Sequence, residues 1–352
     1  MVHLLQFPLQ GNEKAMIVND FRLILWGGVT VLKKHIRSAE VRAVKLPPFA
    51  RGKAQMALHL MLLPAIVLTL LFNYLPMPGI IIAFKDYDIF KGIFASPWAN
   101  NHGFEHFIDF FSSESCGRVI FNTVTLAGLK LIFCTFPPLI LAVLLNEVRS
   151  SAYRRMIQTA SYLPHFISWS IAYGIFYNLL NPSSGALNIL LVRLNLISHN
   201  INFLGDNAHY YPMVISTSIW KGIGWGSILY LGAICSIDIA LFETLAIDGG
   251  NRWHKFRYII WPHVRSILAL LLILDCGEIM SGGGSFDQVY AFSNTMNRHI
   301  SDILDTYVLR AGFENGRYSY ATAVGFFQSV INFVLLFTAN KVTAKLSGES
   351  MF

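Results

Sequence analysis

The chain has 352 residues, of which 54% are hydrophobic and 13% are charged. Soluble domains average roughly 45–50% apolar and about 25% charged residues, so the composition excludes an ordinary soluble protein and indicates a membrane protein with several spans. The net charge of +7 suggests basic cytoplasmic loops and not a nucleic-acid partner. The four cysteines are far apart, which predicts neither a disulfide framework nor a metal cluster.

Residues 1–56 are predicted to form a cytoplasmic region before the first span. The segment 16–32 is mildly apolar but contains Asp20 and Arg22, which favours an interfacial helix over a spanning one. A basic run follows at 33–53, and such a run beside a span marks the cytoplasmic side of the membrane.

Six apolar runs are long enough to cross a membrane, since a crossing takes about 20 residues. They lie at 57–75, 119–145, 165–180, 214–234, 267–280 and 320–339. The second run contains Pro137 and Pro138 and is predicted to kink. The sequence thus predicts an all-α polytopic membrane protein, with a transmembrane domain at 57–340 and a cytoplasmic tail at 341–352.

The charges of the loops between these runs set the expected orientation. The loops on one side are basic, and they contain Arg149, Arg154, Arg155, Arg252, Lys255, Arg257 and Arg265. The loops on the other side are acidic or balanced. Because Lys and Arg concentrate in cytoplasmic loops, both termini are expected in the cytoplasm.

Several polar residues fall inside the predicted spans. The candidates for a substrate pathway are Asn178, Lys221, Asp275, Glu278, Gln328 and Asn332. Ionisable groups at membrane depth are costly and usually line a pathway or pair with each other. Asn and Gln also simply hold helices together, so the amides are the weaker candidates. Glycines at 222, 224 and 226 would let the fourth helix approach a neighbour closely.

Two enzyme motifs are relevant to this sequence. His102, Glu105 and His106 match the H-x-x-E-H pattern of some zinc peptidases, but short patterns recur by chance and no further ligand is evident. A loop or a short helix that packs the neighbouring phenylalanines is favoured. The chain has no phosphate-binding loop, because Gly52-Lys53 is followed by alanine and lacks the upstream glycine. ATP, if it is used, must bind to another chain.

The polar stretch 243–262, ETLAIDGGNRWHKFRYIIWP, interrupts the apolar second half of the chain. Its Asp-Gly-Gly sequence at 248–250 is predicted to end one helix and to begin another. Trp253 and Phe256 then fall on one helical face among basic residues. Pro262 is predicted to interrupt the helix before the fifth span. Such a polar stretch indicates a contact with a soluble partner.

This stretch resembles the EAA loop of binding-protein-dependent ABC importer permeases. The family pattern is Glu-Ala-Ala, three residues, Gly, nine residues, Ile-x-Leu-Pro. The matching positions are Glu243, Ala246, Asp248, Gly249, Ile259 and Pro262. The departures are Thr244, Leu245 and Trp261.

The resemblance covers most of the chain. Segments similar to the polysaccharide-type branch of carbohydrate-uptake permeases are GFEHF (103–107), YLPHFISW (162–169), SIWKGIGWGSILYLGAI (218–234), DTYVLRAG (305–312) and SYATAVGFFQSV (319–330). The first of these further weakens the zinc reading. The resemblance implies a type I ABC importer permease with six transmembrane helices, which takes up oligo- or polysaccharide. Alginate is one candidate substrate.

The resemblance also implies partners. It predicts two ATP-binding subunits that use ATP and Mg, a solute-binding protein and a second permease, expected to be distinct, in the bacterial inner membrane. This chain itself is expected to bind no cofactor and to catalyse no reaction. The residues implied in coupling to the ATP-binding subunit are Glu243, Ala246, Asp248, Gly249, Gly250, Trp253, Phe256 and Pro262.

The alternative from another class is an ion-coupled secondary transporter or channel, with Lys221, Asp275 and Glu278 as coupling groups. Transport driven by an ion gradient without any ATP-binding subunit would support that alternative. A dependence on ATP hydrolysis would support the importer.

Overall fold

The computed structural model describes residues 48–347, and the regular elements in that range are helices. Pairing of the β type is confined there to one isolated bridge between Lys85 and Trp98. The predicted all-α class is therefore confirmed. The predicted interfacial helix within 16–32 lies outside the described residues.

The helices of this range are numbered in chain order. They are α1 (Pro48–Thr69), α2 (Gly92–Ala95), α3 (Glu105–Ser112), α4 (Glu114–Glu147), α5 (Ser151–Tyr162), α6 (Trp169–Leu180), α7 (Ala186–Arg193), α8 (Asn207–Cys235), α9 (Ile239–Ile247), α10 (Arg252–His254), α11 (Trp261–Gly277), α12 (Phe286–Phe292), α13 (Arg298–Ser301), α14 (Leu304–Leu309) and α15 (Tyr318–Ser347). Wide π-type turns occupy Leu70–Tyr74, Lys255–Ile260 and Arg310–Glu314, and 3-10 turns occupy Met77–Phe84, Asn101–Gly103, Leu163–Phe166 and Ile279–Ser281.

The chain divides into two compact units, Met1–Met77 and Pro78–Phe352. In the first unit, α1 continues into the wide turn Leu70–Tyr74. Its apolar side chains are exposed, for example Met61 and Phe72. Such exposure is expected of a helix whose side chains face lipid or another subunit, because those side chains are not buried against the rest of the same chain.

Four helical stretches in the described range are long and apolar enough to cross a membrane. They are His59–Phe84, Glu114–Glu147, Arg252–Gly277 and Tyr318–Lys345. The bent pair Asn207–Cys235 and Ile239–Ile247 makes a fifth candidate if it counts as one span. The predicted third span is absent from this set, because α6 has only 12 residues and is about 18 Å long.

Helices α4 and α8 form the centre of the second unit, and they run parallel. In the first half of each helix, Leu126 of α4 and Val214 of α8 belong to one buried cluster. In the second half, Ala142 of α4 and Tyr230 of α8 belong to another. The positions advance together along both helices, so the two chains run in the same direction. Because both helices have the same direction, the segment between them must carry the chain back across the membrane.

The return passage is built from α5, the turn Leu163–Phe166 and α6. Positions along it run opposite to α8: the Ser161 carbonyl faces Gly224, and the His165 carbonyl accepts a hydrogen bond from Lys221 at 2.6 Å. The break therefore lies beside the middle of α8. The predicted single span at 165–180 is corrected to this two-part passage, because Pro164 lies in the turn between the helices and favours a break there.

Three buried clusters hold the second unit together. One joins α4, α6, α8 and α12; a second joins α3, α4, α14 and α15; and the third joins α4, α8 and α11. Helix α4 takes part in all three, so it is the element that connects the two ends of the bundle. The loop after α13 is fixed to it by Asn122, whose amide donates to the Asp302 carbonyl at 3.1 Å.

Candidate functional site

Helix α9 is a short helix that turns away from α8. The two axes differ by 72° across a break of three residues. Asp238 begins α9, because its carboxylate accepts a hydrogen bond from the Ala240 N–H at 3.0 Å and satisfies one free donor of the first turn. The sharp bend and the cap separate α9 from the apolar helix before it.

The end of α9 is a Schellman turn formed by the predicted Asp-Gly-Gly sequence. Gly249 has φ +72°, a conformation in which a side chain is strained. The Gly250 N–H donates to the Leu245 carbonyl at 2.8 Å, and the Gly249 N–H donates to the Ala246 carbonyl at 3.2 Å. The predicted end of one helix and start of another at 248–250 is thus observed.

The next helix starts at Asn251 and runs without interruption into the span that ends at Gly277. Asn251 and His254 cap this start through reciprocal bonds of 2.9 and 3.3 Å. The expectation that Pro262 interrupts the helix is wrong. The preceding π-type turn widens the backbone, with the Trp261 N–H bonded to the Phe256 carbonyl, and so accommodates the proline ring. The predicted fifth span accordingly begins earlier than residue 267.

The coupling candidates on α9 and its turn face outward. Glu243, Ala246, Asp248 and Gly249 are exposed, and Gly250 is partly buried. The apolar side chains of Ile239 and Ile247 are 70% and 86% exposed. Exposed apolar and acidic groups on a short polar-ended helix form a surface suited to a protein partner.

Trp253 and Phe256 differ in their surroundings, although their ring centroids are 5.7 Å apart. Trp253 is 64% exposed. Phe256 instead packs against the buried cluster that includes Ile260 and Val264. Trp253 is therefore available to a partner, whereas Phe256 fixes the segment to the bundle.

A cavity of about 390 Å³ lies between the middle of α4, the break in the return passage and the middle of α8. Its polar lining includes Lys130 from α4, Lys221 from α8 and Asp275 from α11. Lys221 lies 5.4 Å from the centre of the Trp169 ring, and the His165 ring stacks on Trp225 at 4.4 Å. The cavity thus combines cationic groups with flat aromatic surfaces.

The two cavity lysines are the notable charges of this site. In the part of the chain that the structure describes, neither amine has a carboxylate partner. Lys221 is held in place by the His165 carbonyl, which satisfies one of its three donors. An ammonium group inside a membrane protein that forms no ion pair within 4 Å is a candidate contact for an anionic ligand.

The remaining pathway candidates are not among the residues that line the cavity. Glu278 is next to Gly284 at the cavity edge. Asn332 accepts a hydrogen bond from the Met280 N–H at 2.9 Å, and Gln328 donates to the Ser281 hydroxyl at 3.1 Å, so both amides join α15 to the turn after α11. Asn178 donates to the Gly174 carbonyl of its own helix.

The residues of the zinc pattern serve the local loop. The Glu105 carboxylate accepts a hydrogen bond from the Asn100 N–H at 2.9 Å, and the His106 ring lies 3.2 Å from the Lys85 carbonyl. Within the described range, no group of three His, Cys, Asp or Glu side chains is arranged to hold a metal ion. The favoured reading of a packed loop accounts for both residues.

Two features of the site escaped the sequence analysis. Lys130 interrupts the apolar run of the second span, so the rule that identified Lys221 would also have identified it. Glu147 accepts a hydrogen bond from Lys255 at 2.5 Å and thereby fixes the segment after α9. No local pattern indicates this pair, because its members are 108 residues apart.

Comparisons with known proteins agree with this arrangement. The chain matches the family of binding-protein-dependent transport system inner membrane components over residues 137–347. It is 43% identical to Protein LplB of Bacillus subtilis (strain 168), over 84% of this chain and 91% of that protein. It is 38% identical to the polygalacturonan/rhamnogalacturonan transport system permease protein YteP of the same strain, over 85% and 91%.

A solved structure is also similar. The crystal structure of a bacterial ABC transporter involved in the import of the acidic polysaccharide alginate matches with a TM-score of 0.76 and 37% identity, over 85% of this chain and 99% of that one. The family match spans more than half of the chain and includes α8, the bend, α9 and α11. The chain therefore belongs to the binding-protein-dependent transport system inner membrane components, as a permease subunit with the ABC importer permease fold.

Proposed function

We propose that the chain is the permease subunit of an ATP-driven importer of acidic oligo- or polysaccharides. The observation that carries the proposal is the pair of lysines, Lys130 and Lys221, in the cavity between the middle of α4 and the middle of α8. Charge-assisted hydrogen bonds from ammonium groups suit the carboxylates of uronic acids. The indole of Trp169 offers a flat surface on which a sugar ring can stack. The similarity to the alginate and polygalacturonan transporters supports the same substrate class.

The substrate class is tested with the complete transporter in liposomes. We expect a solute-binding protein loaded with a short oligogalacturonate or oligoalginate to stimulate ATP hydrolysis and uptake. A neutral oligosaccharide of equal length is expected to stimulate neither, because it has no carboxylate for the lysines. Equal stimulation by the neutral sugar would contradict the acidic class. Uptake driven by an ion gradient without ATP would contradict the importer itself.

We further propose that α9 transmits the energy of ATP hydrolysis. In this proposal α9 docks on an ATP-binding subunit, which holds the ATP and Mg, and this chain binds no cofactor. Since the chain carries one such helix and two ATP-binding subunits are proposed, a second permease completes the complex. The bend before α9 and the exposed apolar surface of its helix support this role.

Membrane orientation belongs to the same proposal. A docking surface for a soluble ATP-binding subunit must lie in the cytoplasm, so α9 is placed there, together with both termini. The basic residues of the neighbouring loops, such as Arg252 and Arg257, favour that side. The opposite loops then face the solute-binding protein, and the membrane is the bacterial inner membrane.

Reversing the charge of the turn after α9 tests the docking surface. We expect Asp248→Lys to reduce sugar-stimulated ATP hydrolysis by about tenfold or more, because the proposed docking surface loses an exposed carboxylate and gains a cation in its place. The amount of permease in the membrane is expected to stay unchanged. ATP hydrolysis in proteoliposomes and copurification of the ATP-binding subunit measure the effect.

Asp287→Lys is the control for copurification of the ATP-binding subunit, since Asp287 is also exposed but lies in α12, at the other end of the span that starts beside α9. Full stimulation in the Asp248 variant would argue against α9 as the docking helix.

A further inference from the structure

The last residue of α4, Glu147, is bonded to the segment that follows α9. Its Oε1 accepts a hydrogen bond from Lys255 Nζ at 2.5 Å, and its Oε2 lies 3.9 Å from Arg252 Nε. A carboxylate at the C-terminal end of a helix is unfavourable by itself, because that end carries partial negative charge. The contact with Lys255 therefore offsets a local electrostatic cost.

Lys255 connects three elements at once. Its amine reaches Glu147 at the end of α4 and also lies 5.2 Å from the centre of the Phe242 ring on α9. Lys255 itself begins the π-type turn that leads into α11. The Lys255 and Glu147 side chains are 26% and 29% exposed, so salt screens this pair less than a surface pair.

Helix α4 continues from Glu147 to the cavity. Lys130 lies 17 residues earlier on the same helix, a distance of about 25 Å at 1.5 Å per residue. No break in α4 separates the two positions, although Pro137 and Pro138 lie between them. We therefore expect a displacement of the Glu147 end of α4 to reach the cavity wall through this continuous helix.

We propose that the Glu147–Lys255 pair is the joint through which movement of α9 reaches α4 and the cavity. Both are positioning residues, and the proposal rests on the proposed coupling role of α9. Without the pair, α9 is still expected to move with the ATP-binding subunit, while α4 follows it less closely, through the remaining apolar contacts of Phe242 and Phe256 with their shared cluster. ATP hydrolysis then continues with less sugar carried per ATP.

The movement itself is measured with spin labels in the assembled transporter, which needs ATP but no sugar. Labels replace Leu144 at the end of α4 and Ile239 on α9, both exposed, in a chain whose native cysteines are replaced, and the labelled transporter must keep its sugar-stimulated ATP hydrolysis, because Ile239 belongs to the proposed docking surface. A second pair of labels replaces Ile239 and Phe313. Phe313 is exposed and lies in the wide turn Arg310–Glu314 after α14, where it serves as a reference point. In the wild type, we expect ATP to change the 239–313 distance and to leave the 144–239 distance unchanged.

In Glu147→Gln and in Lys255→Met, ATP is expected to change the 144–239 distance as well. An unchanged 144–239 distance in these variants overturns the joint. If ATP does not change the 239–313 distance in the wild type, α9 does not move with ATP. Both the coupling role of α9 and the joint are then overturned. The two failures are thus distinguishable.

Transport gives the second readout. We expect each single variant to lower the sugar transported per ATP hydrolysed by about tenfold in a permease that still folds and inserts into the membrane. The exchange of Glu147→Lys with Lys255→Glu is expected to restore most of this loss. Arg149→Gln is the matched control, because Arg149 is an exposed charge two residues after Glu147. The joint is overturned if the exchange variant loses as much sugar transported per ATP hydrolysed as the two single variants lose together.

Discussion

Replacing Lys221 with glutamate is expected to lower the uptake of an acidic oligosaccharide by about 100-fold or more. The reason is electrostatic: at about 5 Å and an effective dielectric constant of about 20, two unit charges interact by roughly 3 kcal/mol. Each 1.4 kcal/mol corresponds to about a tenfold change in binding. Uptake of labelled oligogalacturonate into proteoliposomes, at saturating solute-binding protein, measures the effect.

Lys221 also donates to the His165 carbonyl, so its removal affects the break in the return passage. Two variants separate the roles of charge and structure. Lys221→Arg keeps both the charge and a donor, and we expect uptake within a few-fold of the wild type. Lys130→Gln removes the second cavity charge, and we expect a loss of about tenfold or more without a change in melting temperature. Normal uptake in Lys130→Gln and Lys221→Glu would remove the cavity from the substrate pathway.

The second large effect concerns the contact between α8 and the return passage. A Cβ atom at Gly224 would lie 2.1 Å from the Ser161 carbonyl oxygen and 2.8 Å from the Tyr162 nitrogen. Both obstacles are backbone atoms, so relief requires that the two helices separate. We expect Gly224→Ala to cost about 2–3 kcal/mol of stability, at the upper end for overpacking. The melting temperature of the purified permease in detergent measures the loss.

Gly222→Ala provides the matched control in the same helix. A Cβ atom at Gly222 meets no heavy atom within 4 Å. Because alanine favours helix over glycine by up to about 1 kcal/mol, we expect an unchanged or slightly higher melting temperature. Equal effects of the two substitutions would mean that α5 and α8 do not approach each other as closely as described.

The glycines of α8 illustrate what the sequence can predict. The run with glycines at 222, 224 and 226 predicts close helix packing. In the structure, two of these three glycines lie against a neighbouring helix. Gly224 faces the Ser161 backbone, and a Cβ at Gly226 would lie 3.0 Å from Pro138. Gly222 lines the cavity instead. Spacing identifies a helix face, but the neighbour of each glycine depends on pairing between distant segments.

The same limit explains the errors in the span predictions. Long apolar runs identified α4, α11 and α15, because burial in lipid selects composition over about 20 residues. The return passage is predicted as a single span at 165–180. Its first half, α5, is missed because it contains Arg154 and Arg155, and its second half, α6, has only 12 residues. Its existence follows from the parallel packing of α4 and α8, which is a tertiary property.

The candidate site shows a similar division. The turn at Gly249 and Gly250 was predictable, because its glycine signal is local. The effect of Pro262 was not, since a π-type turn absorbs the proline. The cavity brings together Lys130, Lys221 and Asp275 from three helices that the apolar runs could not order in space.

The central position of α4 also has a consequence for biogenesis. The amide of Asn122 finds its carbonyl partners at His299 and Asp302, 177 and 180 residues further along the chain. At about 5–20 residues per second, the ribosome needs about 10 to 35 s to synthesise that interval. During that time the Asn122 amide lacks both of these partners. The packing of α4 is thus completed only when α13 and the loop after it have been made.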